Sequence, residues 1–318
     1  MITRFVHRVT VSLALAAVFI ITATAQENPP AQDTSSQPQT TFKSTLDVVT
    51  IQASVRDGKG KVLSGLTPTD FEVRDNGQLR PILSLRSDRQ SPISVALLVD
   101  MSGSMRLESK AALARQSYAS ILSQLRDGQD EVAVFTFDSS LHERRGFTRD
   151  LSTLRGALDE FNAFGTTSLY DATAAAARRL AERSAALKAI IVLTDGIDTS
   201  SAMTATEVSG LASSIDVPVF MVATVPSLDQ RIMMETAERM PNSEAADLRD
   251  LAEWTGGQFV FASTLLESVV ASSKLIDELR QQYILAIEAA NGREWRRLDV
   301  RVRRPAATVK ARSGYFAG

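Results

Sequence analysis

The short segment from Asp100 to Ser104 carries the side chains with the clearest chemical potential in the sequence. Asp100 ends the apolar run "ISVALLVD", and Ser102 and Ser104 follow it at intervals of two residues, with Gly103 between them. A carboxylate and two hydroxyls this close together form a set of hard oxygen donors. Such donors suit Mg²⁺, with Mn²⁺ or Ca²⁺ as alternatives, rather than zinc or copper.

Two later segments offer oxygen donors of the same kind. The run "KAIIVLTDG" carries Asp195, and "FGTTSLYDA" carries Thr166 and Thr167. If these segments follow neighbouring strands of one parallel sheet, they meet at the edge where ligands of open α/β sheets bind. The sequence therefore predicts one divalent-metal site with these donors: Asp100, Ser102, Ser104, one of the two threonines, and Asp195.

The segment 91–281 has the pattern of a doubly wound α/β domain. Continuous apolar runs such as "EVAVFTF" are typical of strands buried on both faces of a parallel sheet, and here they alternate with helical segments. We expect a mostly parallel, Rossmann-like sheet flanked by helices. Within it, Asp150 is predicted to cap a helix over "LSTLRGALDEF", and Asp171 to cap the Ala-rich helix that follows.

The two flanks of this domain, 43–90 and 282–318, are predicted to be β-rich. Apolar residues partly alternate with polar ones in "LDVVTIQASVRD", and Asn76-Gly77 and Asn291-Gly292 are hairpin-turn signals. Neither flank alone has enough strands for a stable sandwich. We therefore expect both flanks to fold together into one small β-sandwich.

The N-terminus has the order of a secretory signal peptide over residues 1–25. A basic start is followed by an apolar stretch and by the small-x-small sequence Ala23-Thr24-Ala25. Residues 26–42, rich in Pro, Gln, Ser and Thr, are predicted to be a disordered linker. No later run is apolar and long enough to span a bilayer, so we expect an exported protein, periplasmic or secreted, with no stable membrane span after cleavage.

Composition excludes several classes of function. Cysteine is absent and only two histidines, His7 and His142, are present, which argues against thiol chemistry, His-based catalysis and multi-His metal sites. The formal net charge of −2 offers no basic excess for nucleic acid, so none is expected as a partner.

The oxygen-donor pattern resembles the metal-ion-dependent adhesion site (MIDAS) of the von Willebrand factor A (VWA) family. The family motif is Asp-x-Ser-x-Ser, then a Thr, then an Asp, and the resemblance spans residues 92–282. It implies that both serine hydroxyls contact the metal, and that the threonine and the two aspartates do so directly or through water. The usual Gly-Gly-Thr is Gly165-Thr166-Thr167 here. Alignment on "SLYDA" selects Thr167, and Thr166 stays an alternative.

The flanks add a second resemblance. "GLTPTDFEVRDNGQLRPI" before the domain, with "QQYILAI" and "KARSGYFA" after it, resembles the exported VWA-related family common in Acidobacteria. This resemblance covers nearly the whole chain beyond the predicted signal peptide. It implies export but no defined biochemical activity.

These observations favour a binding module over an enzyme. Two carboxylates roughly neutralise a divalent cation and leave it able to accept an acidic oxygen from a protein partner, as in adhesion, and no general base is evident beside it. One alternative is a Mg²⁺-dependent phosphatase or hydrolase with Asp100 as nucleophile, although such enzymes usually carry a second Asp where Ser102 stands. Another is a structural scaffold with a silent metal site. The identity of the partner and the oligomeric state do not follow from the sequence.

Overall fold

The computed structural model describes residues 47–87, 89–159, 162–196, 198–240 and 243–317, apart from the side chains of residues 244 and 245. The predicted signal peptide and linker lie outside the described residues. The described strands are β1 (Val48–Arg56), β2 (Phe71–Asp75), β3 (Gln78–Arg80), β4 (Ile82–Arg86), β5 (Ile93–Asp100), β6 (Glu131–Phe137), β7 (Leu141–Thr148), β8 (Leu187–Thr194), β9 (Val219–Ala223), β10 (Phe259–Phe261), β11 (Tyr283–Glu288), β12 (Trp295–Val302), β13 (Thr308–Ala311) and β14 (Gly314–Phe316). The described α-helices are α1 (Glu108–Gln124), α2 (Leu169–Ala181), α3 (Ala205–Ser214), α4 (Ser227–Arg239), α5 (Glu244–Trp254) and α6 (Leu265–Arg280).

A six-stranded sheet forms the centre of the α/β part, in the order β10-β9-β8-β5-β6-β7. Its strands run parallel except β7, which pairs antiparallel to β6 at one edge. Every residue of β5 is buried, because helices cover both faces of the sheet. Val95 and Leu97 pack in one core cluster with residues of α1 and α6, while Ala96 and Leu98 pack in another with residues of α2, α3 and α5. The predicted mostly parallel α/β fold is confirmed.

The two chain flanks form two antiparallel four-stranded sheets, β13-β1-β11-β4 and β14-β12-β2-β3. Each sheet contains strands from both flanks, since β1 pairs with β11 and β2 pairs with β12. Ile51 and Tyr283 from one sheet share a core with Val73 and Leu298 from the other. The fold prediction of a small β-sandwich made by both flanks is therefore confirmed.

Two local predictions need correction. The described residues 151–159 of "LSTLRGALDEF" do not form an α-helix: Asp150 caps only a 3₁₀ turn over Leu151–Leu154. Leu151, Leu154 and Leu158 are buried, so their helix-like spacing reflects packing onto the core, and the glycine between them disfavours helix. Conversely, α4 was not predicted from the sequence. Its apolar residues Leu228 and Ile232 are exposed to solvent and do not face a core.

Candidate metal centre

Three loops meet at the edge of the central sheet where β5, β6 and β8 end. Loop A (residues 100–106) follows β5, loop B (residues 162–168) leads into α2, and loop C (residues 195, 196 and 198–204) connects β8 to α3. β5 pairs in parallel with both β6 and β8, so the carboxyl ends of these strands lie side by side. The parallel pairing therefore places loop A, with Asp100, and loop C, with Asp195, at one edge of the sheet.

Backbone hydrogen bonds join loop A to loop B. The Gly103 N–H donates to the Gly165 carbonyl at 2.9 Å. The Phe164 N–H donates to the Met101 carbonyl at 2.7 Å. Gly165 has a φ of 85°, a conformation that strongly favours glycine, so this residue sets the approach of the two loops.

Asp100 is fully buried at the end of β5. Its Oδ1 accepts a hydrogen bond from the Ser102 N–H at 2.8 Å, and its Oδ2 accepts one from the Thr194 hydroxyl at 2.6 Å. Burial raises the pKa of Asp100 to about 6, and the negative charge of Asp195 adds to this rise, against the lowering effect of the two hydrogen bonds. Asp195 lies close to Asp100, because β5 and β8 pair in register up to Val99 and Leu193 and the neighbouring Thr194 donates to Asp100. Two negative charges at this distance repel each other.

Ser102 and Ser104 lie in direct contact, with their hydroxyl oxygens 2.9 Å apart. Ser102 is buried and Ser104 is exposed, so the pair leads from the interior to the surface. A 3₁₀ turn over Gly103–Arg106, anchored by the fully buried Met105, fixes this arrangement. The two hydroxyls thus form an oxygen pair directly after Asp100 that solvent reaches at Ser104.

One carboxylate oxygen of Asp195 accepts a hydrogen bond, and the other has no hydrogen-bond donor among the described residues. The Lys110 ammonium donates to Oδ2 at 2.8 Å, while no donor within the described part of the chain reaches the buried Oδ1. The residues on either side of Asp195 are linked to Asp100, because the Thr194 hydroxyl that donates to Asp100 accepts a hydrogen bond from the Gly196 N–H at 3.0 Å. A buried carboxylate oxygen without a donor carries a large free-energy cost unless a cation or water satisfies it.

The two candidate threonines differ in exposure. Thr167 is buried, whereas its neighbour Thr166 is exposed. The backbone of Thr167 is fixed by loop C: its N–H donates to the Thr199 hydroxyl, and its carbonyl accepts from the N–H groups of Thr199 and Ser200. Thr167 is therefore the threonine that the loops hold in a defined position.

Two further aspartates clamp loop C to α2. The sequence predicted Asp171 as the cap of α2. Instead α2 begins at Leu169, and Asp171 in its first turn accepts hydrogen bonds from the backbone of loop C, at Ala202 and Met203. Asp198 accepts from the N–H of Tyr170 on α2. These carboxylates position loop C because they satisfy backbone donors that the loop leaves unpaired.

Two residues of the centre, Lys110 and Thr194, were not predicted from the sequence. Lys110 stands in the first turn of α1, where a positive charge is unfavourable next to the helix dipole, and that mismatch is the signal that could have indicated an acidic partner. Thr194 is a polar residue at the end of an otherwise apolar run, and its burial requires hydrogen-bond partners.

The donor set fits a divalent cation of the oxygen-preferring kind. Among the described residues, no group of three acidic or histidine side chains is arranged to hold a metal ion, so a cation here would rest on two carboxylates and on hydroxyls. The unsatisfied Oδ1 of Asp195 and the hydroxyl pair of Ser102 and Ser104 are oxygen atoms of the kind that Mg²⁺ prefers. Asp100, Ser102, Ser104, Thr167 and Asp195 would hold it, and the ion would supply positive charge to an acidic group.

Comparisons with known proteins identify the α/β part. A family model described as the von Willebrand factor type A domain matches residues 95–198. No curated protein sequence matches the chain. Among solved structures, proximal thread matrix protein 1 from the mussel byssus, with a zinc-occupied MIDAS motif, superposes with a TM-score of 0.50 at 17% identity, over 64% of this chain and 50% of that one.

Two bacterial structures are also similar. A von Willebrand factor type A protein from Catenulispora acidiphila matches with a TM-score of 0.48 at 13% identity, covering 84% of this chain and 73% of that one. The PilB minor pilin from Streptococcus sanguinis matches with a TM-score of 0.45 at 15% identity, covering 60% of this chain. The chain spans 62% of the length of that pilin. The family match includes all five predicted metal ligands, and the chain therefore contains a von Willebrand factor type A domain.

Proposed function

We propose that this protein is an exported, metal-dependent protein-binding module, and that it does not act as an enzyme. Its VWA domain would hold a divalent cation, Mg²⁺ in the first place, at the edge formed by loops A, B and C. The cation would then accept an acidic oxygen from a protein partner. The von Willebrand factor type A match supports the role in protein interaction.

The observation that carries the proposal is the buried Oδ1 of Asp195. It lacks a donor among the described residues, and Asp195 lies near a second buried carboxylate, Asp100. Two close carboxylates repel each other, and a divalent cation relieves that repulsion. The mussel protein with the similar fold has a MIDAS motif that holds zinc, which is consistent with cation binding in this architecture.

The surroundings of Asp100 argue against the hydrolase alternative. A nucleophilic carboxylate must reach a substrate, but Asp100 is fully buried and both of its oxygens accept hydrogen bonds. His142, the one histidine outside the predicted signal peptide, has its ring 3.5 Å from Asp138 in an exposed position on β7, and nothing places it on Asp100. Binding therefore accounts for the site better than turnover.

Export is the second part of the proposal. It rests on the basic, apolar and small-x-small order of residues 1–25. Among the described helices, none combines the length and the apolar character needed to cross a bilayer. Intact mass of the protein after expression with its leader in a Gram-negative host tests this part, and a chain beginning near Gln26 is the expected product.

Affinity capture tests the binding function. Immobilised protein is incubated with an extract of the native cell envelope, once with Mg²⁺ and once with EDTA, alongside the Asp100→Ala variant. The proposal expects a protein that is retained by the wild type with Mg²⁺ and released by EDTA. Retention that is equal in EDTA, or equal on Asp100→Ala, would show that binding does not use the metal centre.

A further inference from the structure

Lys110 belongs to the centre but is not one of the proposed metal ligands. It lies in the first turn of α1, three residues into the helix, directly after loop A. The amino end of a helix carries a partial positive charge, so a lysine is unfavourable there without a compensating acid. Only 15% of its side chain is exposed, so the ammonium is held within the centre rather than in bulk solvent.

The ammonium of Lys110 faces two carboxylates. It donates to Asp195 Oδ2 at 2.8 Å and lies 3.9 Å from Oδ2 of Asp229, in the first turn of α4. The side chain of Asp195 is 3% exposed, whereas that of Asp229 is 43% exposed. The lysine therefore occupies one oxygen of a buried metal-ligand candidate and has a second, more exposed acid within reach.

This arrangement makes Lys110 a resident counter-ion. In its absence Asp100 and Asp195 would place two negative charges in a region of low solvent access, which is costly. The lysine neutralises one of them without a metal. A divalent cation needs the same carboxylate, and its positive charge is repelled by the ammonium.

We propose that Lys110 competes with the divalent cation for Asp195 and so sets how much Mg²⁺ is needed to fill the centre. This inference rests on the proposed metal-binding function and concerns its regulation. On metal binding, the ammonium shifts its ion pair from Asp195 towards Asp229, which lies on α4. A change in metal occupancy would thereby alter the contacts of α4, which carries the exposed apolar residues Leu228 and Ile232.

Calorimetric titration with Mg²⁺ alone tests the proposal in the full-length protein after its leader is removed. Lys110→Met removes the charge and keeps most of the side-chain volume, and Lys59→Met makes the same exchange at an exposed loop of the β-sandwich. Removal of a positive charge beside the cation should tighten the Mg²⁺ Kd by at least roughly tenfold. Lys59→Met should leave the Kd of the wild type unchanged.

A second variant and a second measurement protect the test against a folding defect. Lys110→Gln is neutral but keeps a hydrogen-bond donor for Asp195, and it should also bind Mg²⁺ more tightly. In EDTA both variants should melt below the wild type, and Mg²⁺ should restore their melting temperatures. A variant that Mg²⁺ fails to restore contradicts the proposal.

The outcomes separate this proposal from the function on which it rests. If the wild type binds Mg²⁺ and the Lys110 variants bind it equally or more weakly, Lys110 is a structural ion pair and the competition is wrong. If only the Lys110 variants bind Mg²⁺, the competition is supported, while Mg²⁺ binding by the wild type, and with it the proposed function, is contradicted. If none of them binds Mg²⁺, the metal-binding function fails and the competition fails with it.

Discussion

At the scale of single residues, the site is a balance of charges around Asp100. This carboxylate is buried beside a second one, and the hydrogen bonds from Ser102 and Thr194 offset only part of the desolvation cost. Its pKa is raised to about 6. The metal-free protein therefore carries an unfavourable charge at neutral pH, and a bound cation would remove that penalty.

This charge makes the stability of the metal-free protein depend on pH. Because the pKa of Asp100 rises from 3.8 in a model peptide to about 6 in the folded chain, the folded state holds a proton that the unfolded state releases. The stabilisation that comes from this proton on Asp100 is complete below about pH 4 and is lost as the pH rises through about 6. The free energy of unfolding changes by an amount on the order of 2–3 kcal/mol. Urea unfolding in EDTA across this range measures it.

Asp100→Asn is the control for this prediction, because it removes the titrating group. The difference in unfolding free energy between wild type and variant should grow in favour of the variant as the pH rises from about 4 to about 7. Titrating groups distant from residue 100 are the same in both proteins, so the difference reports the titration at this site. A difference that stays constant over this range would contradict a raised pKa at Asp100.

A second prediction distinguishes the two candidate threonines. Thr167→Val removes a buried hydroxyl while the backbone contacts of residue 167 to loop C remain. We expect it to weaken Mg²⁺ binding by roughly tenfold or more, as is typical for a lost metal contact or its support. The exposed Thr166→Val is the matched control and should bind as the wild type does. Calorimetry that gives the reverse order would assign the site to Thr166.

At the scale of elements, the sequence predicted best those strands that are buried on both faces. β5 and β8 are continuous apolar runs because helices cover them on two sides, and their polar ends locate the loops of the site. The helix α4 was not predicted, because its apolar residues Leu228 and Ile232 are exposed and do not form the one-sided apolar pattern that indicates a helix packed on a core. The contact of Lys110 with Asp195 could not be predicted, because it joins residues 85 positions apart through the packing of α1 against the sheet.

Loop C depends on the clamp that Asp171 provides. Asp171→Ala would leave the N–H groups of Ala202 and Met203 without their acceptors. We expect a loss of about 1–3 kcal/mol in unfolding free energy and weaker Mg²⁺ binding, although Asp171 is not a predicted ligand. Asp250→Ala on α5 removes a carboxylate with only a 4.0 Å ion pair and should change neither quantity. Unchanged Mg²⁺ affinity in Asp171→Ala would mean that loop C does not position the site.

At the scale of the whole molecule, strands from before and after the VWA domain form the β-sandwich that packs beside it. The N–H of Ser313 near the C-terminus donates to the carbonyl of Trp254 at the end of α5. Buried Glu278 at the end of α6 accepts from Ser54 and pairs with Arg56 of β1. These contacts tie the β-sandwich to the end of the sheet away from loop A, which leaves the candidate metal centre open to a partner.

This architecture predicts that the first flank cannot fold without the last one. Deletion of residues 282–318 removes β11, which lies between β1 and β4, and β12, which lies between β14 and β2. The strands in residues 47–86 would then present open edges. Limited proteolysis followed by mass spectrometry should show rapid cleavage in that segment, with slower cleavage in 95–198. Protection of residues 47–86 in the truncated protein would show that they fold independently.

The most direct test of the metal-binding claim is the melting temperature measured as a function of Mg²⁺ concentration, for the wild type and for Asp100→Ala. A cation that binds only the folded state at ten times its Kd adds about 1.4 kcal/mol of stability. We predict a saturable rise in the melting temperature of the wild type, reversed by EDTA, and no rise for Asp100→Ala. A wild type whose melting temperature does not respond to Mg²⁺, or responds as Asp100→Ala does, would contradict the account.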